Sequence, residues 1–427
     1  MSEGRDAAAV RQEVRAWLQE NWDPERPLSE WRGLLADSGW GCPVWPEEWY
    51  GRGLRPSLGS VVTEEFRAAG AVGTGAGAGV SLAANTILAH GSDELKAAYL
   101  RPIITGEHTW CQLFSEPGSG SDLAGLTTRA TRDGDEWVVN GQKVWNTGAH
   151  KAHYGMLLAR TDWDVPKHRG ITFFVLDMRQ AAVTVRPLRQ MNGHASFNEV
   201  FLTDARARHD HVVGTVNGGW AAATTTLMHE RGMAAGIGQR RAAGRARPAP
   251  PPGRTRREAD AETAAYRETY KWYPQRAGRV DLLEDRARAH GRTGDLVTRQ
   301  AIASVLAFER SARWTAKRAR AARAAGKQPG PEGSLGKLSS SVTARAAHGA
   351  HTLVIGAHGM LSGPDSDAGG LVAEVLVSTP AQSIAGGTDE IQRNIMGERV
   401  LGLPKEPSVD NDVAFRDVRT NTRSADR

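Results

Sequence analysis

The spacing of apolar residues divides the chain into three parts, and the first part is helical. Val10, Val14, Trp17 and Leu18 recur at the interval that places side chains on one face of a helix,. The same spacing predicts helices over four ranges: 8–22, 28–38, 57–69 and 92–100,. Ser92 is a suitable N-cap for the last of these, because its hydroxyl can accept from a free backbone N–H group. We expect an α-helical N-terminal domain over residues 1–108.

The pattern changes to short apolar runs separated by Gly, Asn, Asp and Ser clusters, which is typical of strands and turns. Extended segments are predicted at 111–114, 136–139, 144–145, 154–159, 171–176, 183–187 and 198–202. They predict a small antiparallel sheet or barrel within a β middle domain over 109–215. The turns at 115–122 and 144–148 bring hydroxyls, backbone N–H groups and an indole into this domain. Such a set suits a flat heterocycle whose edge accepts hydrogen bonds and whose face needs covering.

Helical spacing returns after residue 216, with long Ala-rich amphipathic stretches at 220–238, 296–324 and 336–355. These predict a helix bundle in a C-terminal domain over 216–407. An Arg/Pro-rich insertion at about 240–260 interrupts the domain and is typical of a solvated, mobile loop,. Residues 408–427 are polar and patternless, so a disordered tail is expected there.

Composition agrees with a soluble globular protein. The chain has 427 residues, of which 40% are hydrophobic and 24% charged, enough for two or three domains. No stretch has the length and apolar character of a membrane span, and the first ten residues lack a signal-peptide core,. We therefore expect a cytoplasmic protein with no membrane partner. Cys42 and Cys111 are expected to be reduced, buried spectators.

Two features that suggest other functions are weak. The net charge is +6, but much of the excess arginine lies in the Arg/Pro-rich insertion, without interleaved aromatic residues, so no nucleic-acid partner is expected. The glycine-rich run at 73–79 follows a helical pattern rather than a strand, which argues against a dinucleotide-binding loop,. Its small residues are expected to allow close helix packing or to line a cavity.

Two long motifs, in order and far apart, carry a family resemblance. The first is the stretch from Trp110 to Arg160, which contains SEPGSGSD and VWNTG, and the second is IAGGTDEIQRN at 384–394. Together they resemble the flavin-binding and C-terminal signatures of the acyl-CoA dehydrogenase family. The resemblance covers roughly residues 10–405, with a poorly matching block at about 237–285. It implies an α+β multidomain fold with an α-helical N-terminal domain, a β-barrel middle domain and a C-terminal four-helix bundle.

The resemblance also implies a chemistry with three requirements. Dehydrogenation of an acyl thioester needs a base for the α proton, donors that polarise the thioester carbonyl, and a flavin that accepts the β hydride. Family members usually carry the base immediately before the Gly-Thr pair of the C-terminal signature, where this chain has Gly386. Either the protein is not a dehydrogenase or the carboxylate comes from elsewhere.

A minority of the family places the base on a C-terminal helix, just before an arginine. Glu230 followed by Arg231 matches that arrangement, so Glu230 is the predicted catalytic base and Arg231 a predicted substrate contact. The alternative for Glu230 is a surface carboxylate beside Arg231 at the start of a helix. The backbone N–H of Gly386 remains available as a donor to the carbonyl.

The resemblance implies FAD as cofactor and assigns its contacts residue by residue. Leu113 and Ser115 would meet the edge of the isoalloxazine, Trp145 would cover one face, and Thr147 would lie near N5. Further positions would contact the dinucleotide part: Gly387, Thr388 and Glu390. Ser121 would lie nearer the CoA portion of the substrate, and no metal site is predicted.

One expected element is missing. An Arg-x-x-Phe-Gly segment commonly binds the pyrophosphate and adenine of FAD from a neighbouring subunit, but this chain has YRETYKWYPQR at 266–276 in its place. This substitution leaves the intersubunit FAD contacts open, and a locally altered reading frame is another explanation for so abrupt a change in composition.

The leading hypothesis is therefore an FAD-dependent acyl-CoA dehydrogenase that passes electrons to an electron-transfer flavoprotein or a similar acceptor. Two alternatives remain: an acyl-CoA oxidase or flavin monooxygenase on the same fold, and a catalytically silent partner subunit of a hetero-oligomeric dehydrogenase. Because the resemblance implies cofactor sites at subunit contacts, a homo-oligomer is expected, either a dimer or a tetramer. The sequence does not indicate the acyl chain.

Overall fold

The N-terminal part of the chain consists of helices packed around a tryptophan. The computed structural model describes residues 6–237, 253–324, 327, 332–363, 365–408 and 410–418. Its first helices are α1 (Ala7–Asn21), α2 (Leu28–Ser38), α3 (Pro56–Ala69), α4 (Ala84–His90) and α5 (Asp93–Thr105). Trp31 is fully buried among Val10, Val14 and Leu35, and its indole N–H donates to the carbonyl of Val72 at 2.7 Å. The predicted cap is confirmed, since the Ser92 hydroxyl accepts from Leu95 N.

The glycine-rich run serves close packing, as predicted. A Cβ on Gly75 would lie 3.2 Å from Gly106 Cα, and a Cβ on Gly79 would lie 3.1 Å from the Trp110 ring. Gly79 also begins a π-helical turn, Gly79–Ala83, that leads into α4. Side chains at these positions would push the N-terminal helices away from the sheet.

Seven strands form the middle sheet: β1 (Trp110–Leu113), β2 (Arg129–Asp133), β3 (Glu136–Lys143), β4 (Tyr154–Arg160), β5 (Ile171–Asp177), β6 (Val183–Leu188) and β7 (Phe197–Arg208). Their order is β1-β4-β2-β3-β7-β6, with β5 paired to β4. The expectation of a purely antiparallel sheet is wrong, because β1 runs parallel to β4 and β2 meets β4 in parallel.

Two local predictions in the sheet also differ from the structure. Strand β2 was missed, because four of its five residues are exposed and it shows no apolar run. Residues 144–145, predicted as extended, form a turn in which Trp145 has a φ of 64°. Val144 and Trp145 are both apolar, which fits a strand as well as a turn. Only the left-handed backbone of Trp145 distinguishes the two.

Strand β4 separates two cores, which explains its continuous apolar run. Met156 and Leu158 point to one face and pack with the N-terminal helices, while Leu157 and Ala159 point to the other face. Alternate side chains of a strand point to opposite faces, so a strand covered on both sides is apolar at every position.

The C-terminal part contains α6 (Gly219–Ile237), α7 (Arg254–Glu268), α8 (Tyr273–Arg276), α9 (Leu283–Ala289), α10 (Leu296–Ala324), α11 (Glu332–Ile355), α12 (Leu371–Ser378) and α13 (Asp389–Arg399). Helices therefore precede and follow the sheet, and the predicted fold class is confirmed. The predicted domain boundaries remain predictions.

Part of the Arg/Pro-rich insertion is a helix and not a loop. Residues 238–252 lie outside the described part of the chain, but α7 begins at Arg254 and packs against α2. Glu258 accepts from the backbone N of Leu28 at 2.8 Å, and Glu262 pairs with Arg32 at 2.5 Å. The carboxylates of α7 thus contact donors on α2, a contact that local composition does not show.

The prediction of a disordered tail from residue 408 is wrong for residues 410–418. Phe415 is completely buried, and its backbone N donates to the carbonyl of Val165 at 2.9 Å. Ala414 forms a bridge with Pro166. A single aromatic anchor in a polar segment carries no periodicity, which is why the pattern did not predict this contact.

Three further observations concern the whole described part of the chain. No helix there has both the length and the apolar character needed to cross a bilayer. No group of three or more His, Cys, Asp or Glu side chains there is arranged to hold a metal ion. Cys42 and Cys111 are free and buried, as predicted, and burial raises the pKa of each thiol to about 12.

A buried ion pair fixes the first turn after β1. Glu116 and Lys143 are 6% and 0% exposed, and their charged atoms lie 2.8 Å apart. Glu116 also accepts from the backbone N of Thr127 at 2.7 Å and of Thr128 at 2.9 Å. Burial alone would raise the pKa of Glu116, but Lys143 and these donors outweigh it and lower the pKa to about 2,.

We expect Glu116→Gln to lower the free energy of unfolding by about 3–5 kcal/mol, because it leaves Lys143 buried without its counter-charge. The folded pKa lies below the usual value of about 4.3, so the stabilisation is present above that pH and is lost as the pH falls towards 2,. Urea unfolding at several pH values measures both effects. Glu136→Gln is the control, since that strand carboxylate pairs with Arg206 at the surface at 3.7 Å. Equal losses for the two variants would contradict the assignment.

Candidate active site

The turn after β3 presents an indole to solvent. Trp145 is 56% exposed, has a left-handed φ of 64°, and meets Phe197 edge-on with ring centroids 5.5 Å apart. A bulky residue in this region of backbone space is strained and persists only where its surroundings hold it. The open face of this ring is suited to cover a flat ligand, and the flavin contact of Trp145 stays a prediction.

Asn146 holds this turn, and sequence reasoning missed it. Its side-chain amide donates to the carbonyl of Gln112 at 2.7 Å, and its backbone N and carbonyl pair with Asn198, both at 3.1 Å. Asn146 is 2% exposed. Its burial depends on contacts with residues far away in the sequence, so no local signal identifies it.

The two predicted flavin-contacting turns lie side by side. The carbonyl of Ser115 accepts from the backbone N of Val144 at 2.9 Å, which joins the start of one turn to the start of the other. Ser115 is half-buried. Leu113 is fully buried and pairs with Leu157 in the sheet, so its side chain belongs to the core and its backbone is the part a ligand could reach.

The loop that follows Ser115 surrounds a small cavity. Its volume is about 200 Å³, and it is lined by Glu116, Pro117, Gly118, Ser119, Gly125, Thr127 and Gln142. Ser121, the predicted CoA contact, is exposed on this loop but does not line the cavity.

The C-terminal signature forms a turn that leads into α13. Gly386 and Gly387 have φ values of 72° and 89°, and the Thr388 hydroxyl caps the helix by accepting from Ile391 N at 3.3 Å. Gln392 is buried and donates to the carbonyls of Gly386 and Gly387 at 3.3 and 3.4 Å. Two successive left-handed residues explain why glycine stands at both positions.

Glu390, the remaining predicted contact of this signature, already has a protein partner. It is exposed and pairs with Arg393 at 3.3 Å.

Lys337 supports the turn from behind. Its ammonium donates to the carbonyl of Gln382 at 2.7 Å and lies 3.6 Å from Asp389. Lys337 is a supporting residue that the motif did not reveal, because it lies far away in the sequence.

Glu230 is half-buried on α6 and contacts the sheet. Its carboxylate accepts from the side-chain amide of Gln112 at 3.4 Å, and the carbonyl of Gln112 accepts from Asn146. The structure therefore connects Glu230 to the Trp145 turn through two side chains. Glu230 lies well inside α6 rather than at its start, and its role as catalytic base stays a prediction. The side chain of Arg231 lies outside the described part of the structure.

The segment that replaces Arg-x-x-Phe-Gly forms an aromatic column beside these residues. The rings of Tyr266, Tyr270 and Tyr273 lie 4.9 and 4.7 Å apart in succession. Tyr266 lies near Gly77, where an added Cβ would be 3.4 Å from its ring, and Tyr270 lies beside Thr147.

The lower end of the column lies beside Glu230. Burial raises the pKa of the Tyr273 hydroxyl, and the nearby charge of Glu230 raises it further. Arg276 lies 4.2 Å from the centre of the Tyr273 ring. Trp272 is buried and its indole N–H donates to Ser196 at 3.0 Å, which anchors the column to the sheet.

The predicted flavin contacts that belong to the sheet lie in two adjoining turns. The open indole of Trp145 and the Ser115 turn fit a flat, hydrogen-bonding cofactor, and Thr147 lies beside Tyr270. Gly386 adds no side chain to its own turn, and the flavin contacts of all these residues stay predictions.

Comparison with known proteins gives three family-model matches in order. Residues 5–107 match the acyl-CoA dehydrogenase N-terminal domain, residues 111–205 the middle domain, and residues 280–401 the C-terminal domain. Helix α6 with Glu230, helix α7 and the aromatic column lie between the last two matches.

Individual relatives agree with these matches. The chain is 36% identical to acyl-CoA dehydrogenase FadE34 of Mycobacterium tuberculosis over 405 residues, covering 94% of this chain but 49% of that protein. It is 32% identical to acyl-CoA dehydrogenase IpdE1 of the same organism, covering 94% of this chain and 99% of that one. The chain thus spans about half the length of the first relative and nearly all of the second.

The fold is also shared with a solved structure, the Tcur3481-Tcur3483 steroid ACAD. It superimposes with a TM-score of 0.66 at 26% identity, covering 94% of this chain and 99% of that one. Since the three family models match in order and IpdE1 is matched almost end to end, the chain belongs to the acyl-CoA dehydrogenase family, oxidoreductases that act on a CH–CH bond with a flavin.

Proposed function

We propose that this chain catalyses the FAD-dependent α,β-dehydrogenation of an acyl-CoA thioester, with Glu230 as the catalytic base. The observation that carries the proposal is the connection from Glu230 through Gln112 and Asn146 to the Trp145 turn. It relates the carboxylate proposed to replace the missing side chain at Gly386 to the surface proposed to cover the flavin.

Glu230 removes the α proton. The amide of Gln112 donates to its carboxylate at 3.4 Å, which orients the acceptor oxygen,. Arg231, the next residue on α6, is proposed to contact the substrate.

The turn at Gly386 supplies a donor to the thioester carbonyl. Its left-handed backbone is held by Gln392, which binds the carbonyls of Gly386 and Gly387 and leaves the N–H of Gly386 for the substrate. A preorganised N–H at the site of developing negative charge makes the α proton more acidic.

FAD, when bound, accepts the hydride from the β carbon. We propose that Trp145 covers one face of its ring system and that Ser115, Thr147 and the backbone of Leu113 bind its edge. The dinucleotide part is proposed to contact Gly387, Thr388 and Glu390. Ser121, exposed on the neighbouring loop, is proposed to contact the CoA portion.

The acyl group is proposed to be bulky and polycyclic. A relative of the same fold is a steroid ACAD, and the aromatic column together with the glycine-rich run at Gly77 gives broad apolar walls without large aliphatic side chains. The electrons are proposed to pass to an electron-transfer flavoprotein or a similar acceptor.

The assembly is proposed to be an oligomer. Large apolar side chains of the C-terminal part are exposed in the single chain, and those around the signature helix are Ile384, Val400, Leu401 and Leu403. A homo-oligomer would bury them against a second copy. A hetero-oligomer would bury them against a different subunit, and the double designation of the related Tcur3481-Tcur3483 steroid ACAD supports this arrangement.

Glu230→Gln is expected to retain FAD and to lose reduction by acyl-CoA by about 10³-fold or more, because an amide cannot accept the α proton. The measurement is anaerobic stopped-flow bleaching of the flavin with a panel of short-chain, long-chain and steroid-derived acyl-CoA esters. Oxygen consumption by the reduced enzyme distinguishes a dehydrogenase from an oxidase or monooxygenase.

Glu48→Gln is the charge-matched control, since that carboxylate is exposed on a short turn far from α6 in the sequence. A Glu230→Gln protein that bleaches at the wild-type rate would show that another base operates. A wild-type protein that no acyl-CoA bleaches would favour a silent partner subunit.

Purified protein is expected to be a dimer or tetramer, or to need a partner chain, because the exposed apolar side chains stabilise association by burial. Light scattering coupled to size exclusion measures the mass, and Leu401→Glu with Leu403→Glu is expected to dissociate the assembly. A flavin-loaded monomer of 46.0 kDa would contradict the proposal.

A further inference from the structure

The C-terminal segment 410–418, hereafter the strap, folds back on the middle domain. Besides the bridge between Ala414 and Pro166, the backbone N groups of Phe415 and Arg416 donate to the carbonyls of Val165 and Trp163, both at 2.9 Å. The strap therefore lies along the connection between β4 and β5, far in sequence from the elements it touches.

Its aromatic anchor lies on a buried guanidinium. The centre of the Arg160 guanidinium is 3.4 Å from the centre of the Phe415 ring, and both residues are fully buried. Arg160 also donates to the carbonyls of Ala124 at 2.7 Å and Leu126 at 3.1 Å. The ring thus packs against the guanidinium that binds the carbonyls at the end of the 118–126 loop. A cation–π contact removed from water in this way is strongly stabilising.

The acidic end of the strap contacts the same loop through a lysine. The ammonium of Lys167 lies 2.8 Å from Asp410 and 3.1 Å from Asp122, which is in the loop. The Lys167 side chain is 12% exposed, so these two carboxylates are close counter-charges in a partly desolvated place. Both halves of the 118–126 loop are therefore held by cations that the strap contacts.

The 118–126 loop has free donors. Gly118, Gly120, Ser121 and Asp122 are exposed, and among the residues that the structure describes their backbone N–H groups donate to no protein acceptor. The loop also borders the cavity of about 200 Å³. Successive free N–H groups at a bend, next to a lysine, are suited to bind phosphate oxygens.

We propose that the strap shapes the 118–126 loop for the diphosphate that a CoA ester and FAD both carry, with Phe415 and Asp410 as positioning residues. Phe415 acts through Arg160 and Asp410 acts through Lys167. The proposal rests on the proposed function for the identity of these two ligands, but the contacts between the strap and the loop are observed directly in this chain.

The test compares Asp410→Asn and Phe415→Leu with wild-type full-length protein. Asp412→Asn is the matched control, because it removes the same charge at a position two residues after Asp410. The Asp412 side chain is exposed and has no ion pair among the described residues. Asp410→Glu keeps the charge and is expected to restore the wild-type behaviour.

Three quantities are measured: the Kd for coenzyme A by calorimetry, the Kd for FAD by reconstitution of the apoprotein, and hydrogen exchange of the 118–126 amides. Asp410→Asn and Phe415→Leu are expected to weaken binding of one ligand by about 5–10-fold and to speed exchange of these amides, because a partly buried ion pair and a cation–π contact have this order of effect. The limiting rate of flavin reduction is expected to stay within about twofold, since neither residue lies at the reacting carbons.

The two binding arms identify the ligand. A weaker Kd for coenzyme A alone assigns the loop to the substrate, and a weaker Kd for FAD alone assigns it to the cofactor. Unchanged affinities for both ligands, or unchanged exchange of the loop amides in Asp410→Asn, would overturn the proposal. If Phe415→Leu does not fold, Asp410→Asn still tests the proposal, because a substitution at the partly exposed Asp410 is expected to leave the protein folded.

Failure of the proposed function has a different signature. A wild-type protein that no acyl-CoA reduces refutes the dehydrogenase assignment, while binding of coenzyme A or FAD and its dependence on Asp410 can still be measured. A normally reduced protein whose Asp410→Asn variant binds both ligands as the wild type does refutes the strap alone.

Discussion

A cation removed from water has to be matched by charge or by carbonyl oxygens, and this constraint shapes the site. Lys143, Arg160 and Lys337 are each at most 3% exposed. Lys143 holds the turn at Glu116, Arg160 holds the carbonyls at 124–126, and Lys337 holds the turn before α13. Since leaving any of these charges unpaired would be costly, the loops that supply the oxygens are held in one conformation.

The same constraint explains why glycine is compatible with a dehydrogenase at Gly386. The turn is held from behind by Lys337, Asp389 and Gln392, so its backbone stays in place without a side chain at residue 386. The proposed base comes instead from α6, and the amide of Gln112 connects it to the sheet. The proposed donor and base thus reside on separate elements, the turn before α13 and helix α6, and α6 packs against α11.

The aromatic column is the main departure from the family pattern. Tyr266, Tyr270 and Tyr273 occupy the place in the sequence where a phosphate- and adenine-binding segment is common, yet they lie against Gly77, Thr147 and Glu230. They are half-buried, and they connect the glycine-rich run to the residues of the proposed active site.

The sequence by itself determined the helix-strand-helix order, most element positions, the buried cysteines and the family, because periodicity, turn residues and motif spacing are local properties. It also indicated Glu230 as the candidate base, because Gly386 has no side chain at the position where the family usually carries the base. Only the tertiary structure decided which residues hold the site: Asn146 beneath the indole, Lys337 behind the glycine turn, and the strap on Arg160. Each of these contacts joins residues far apart in the chain and depends on burial, so no local pattern could show it.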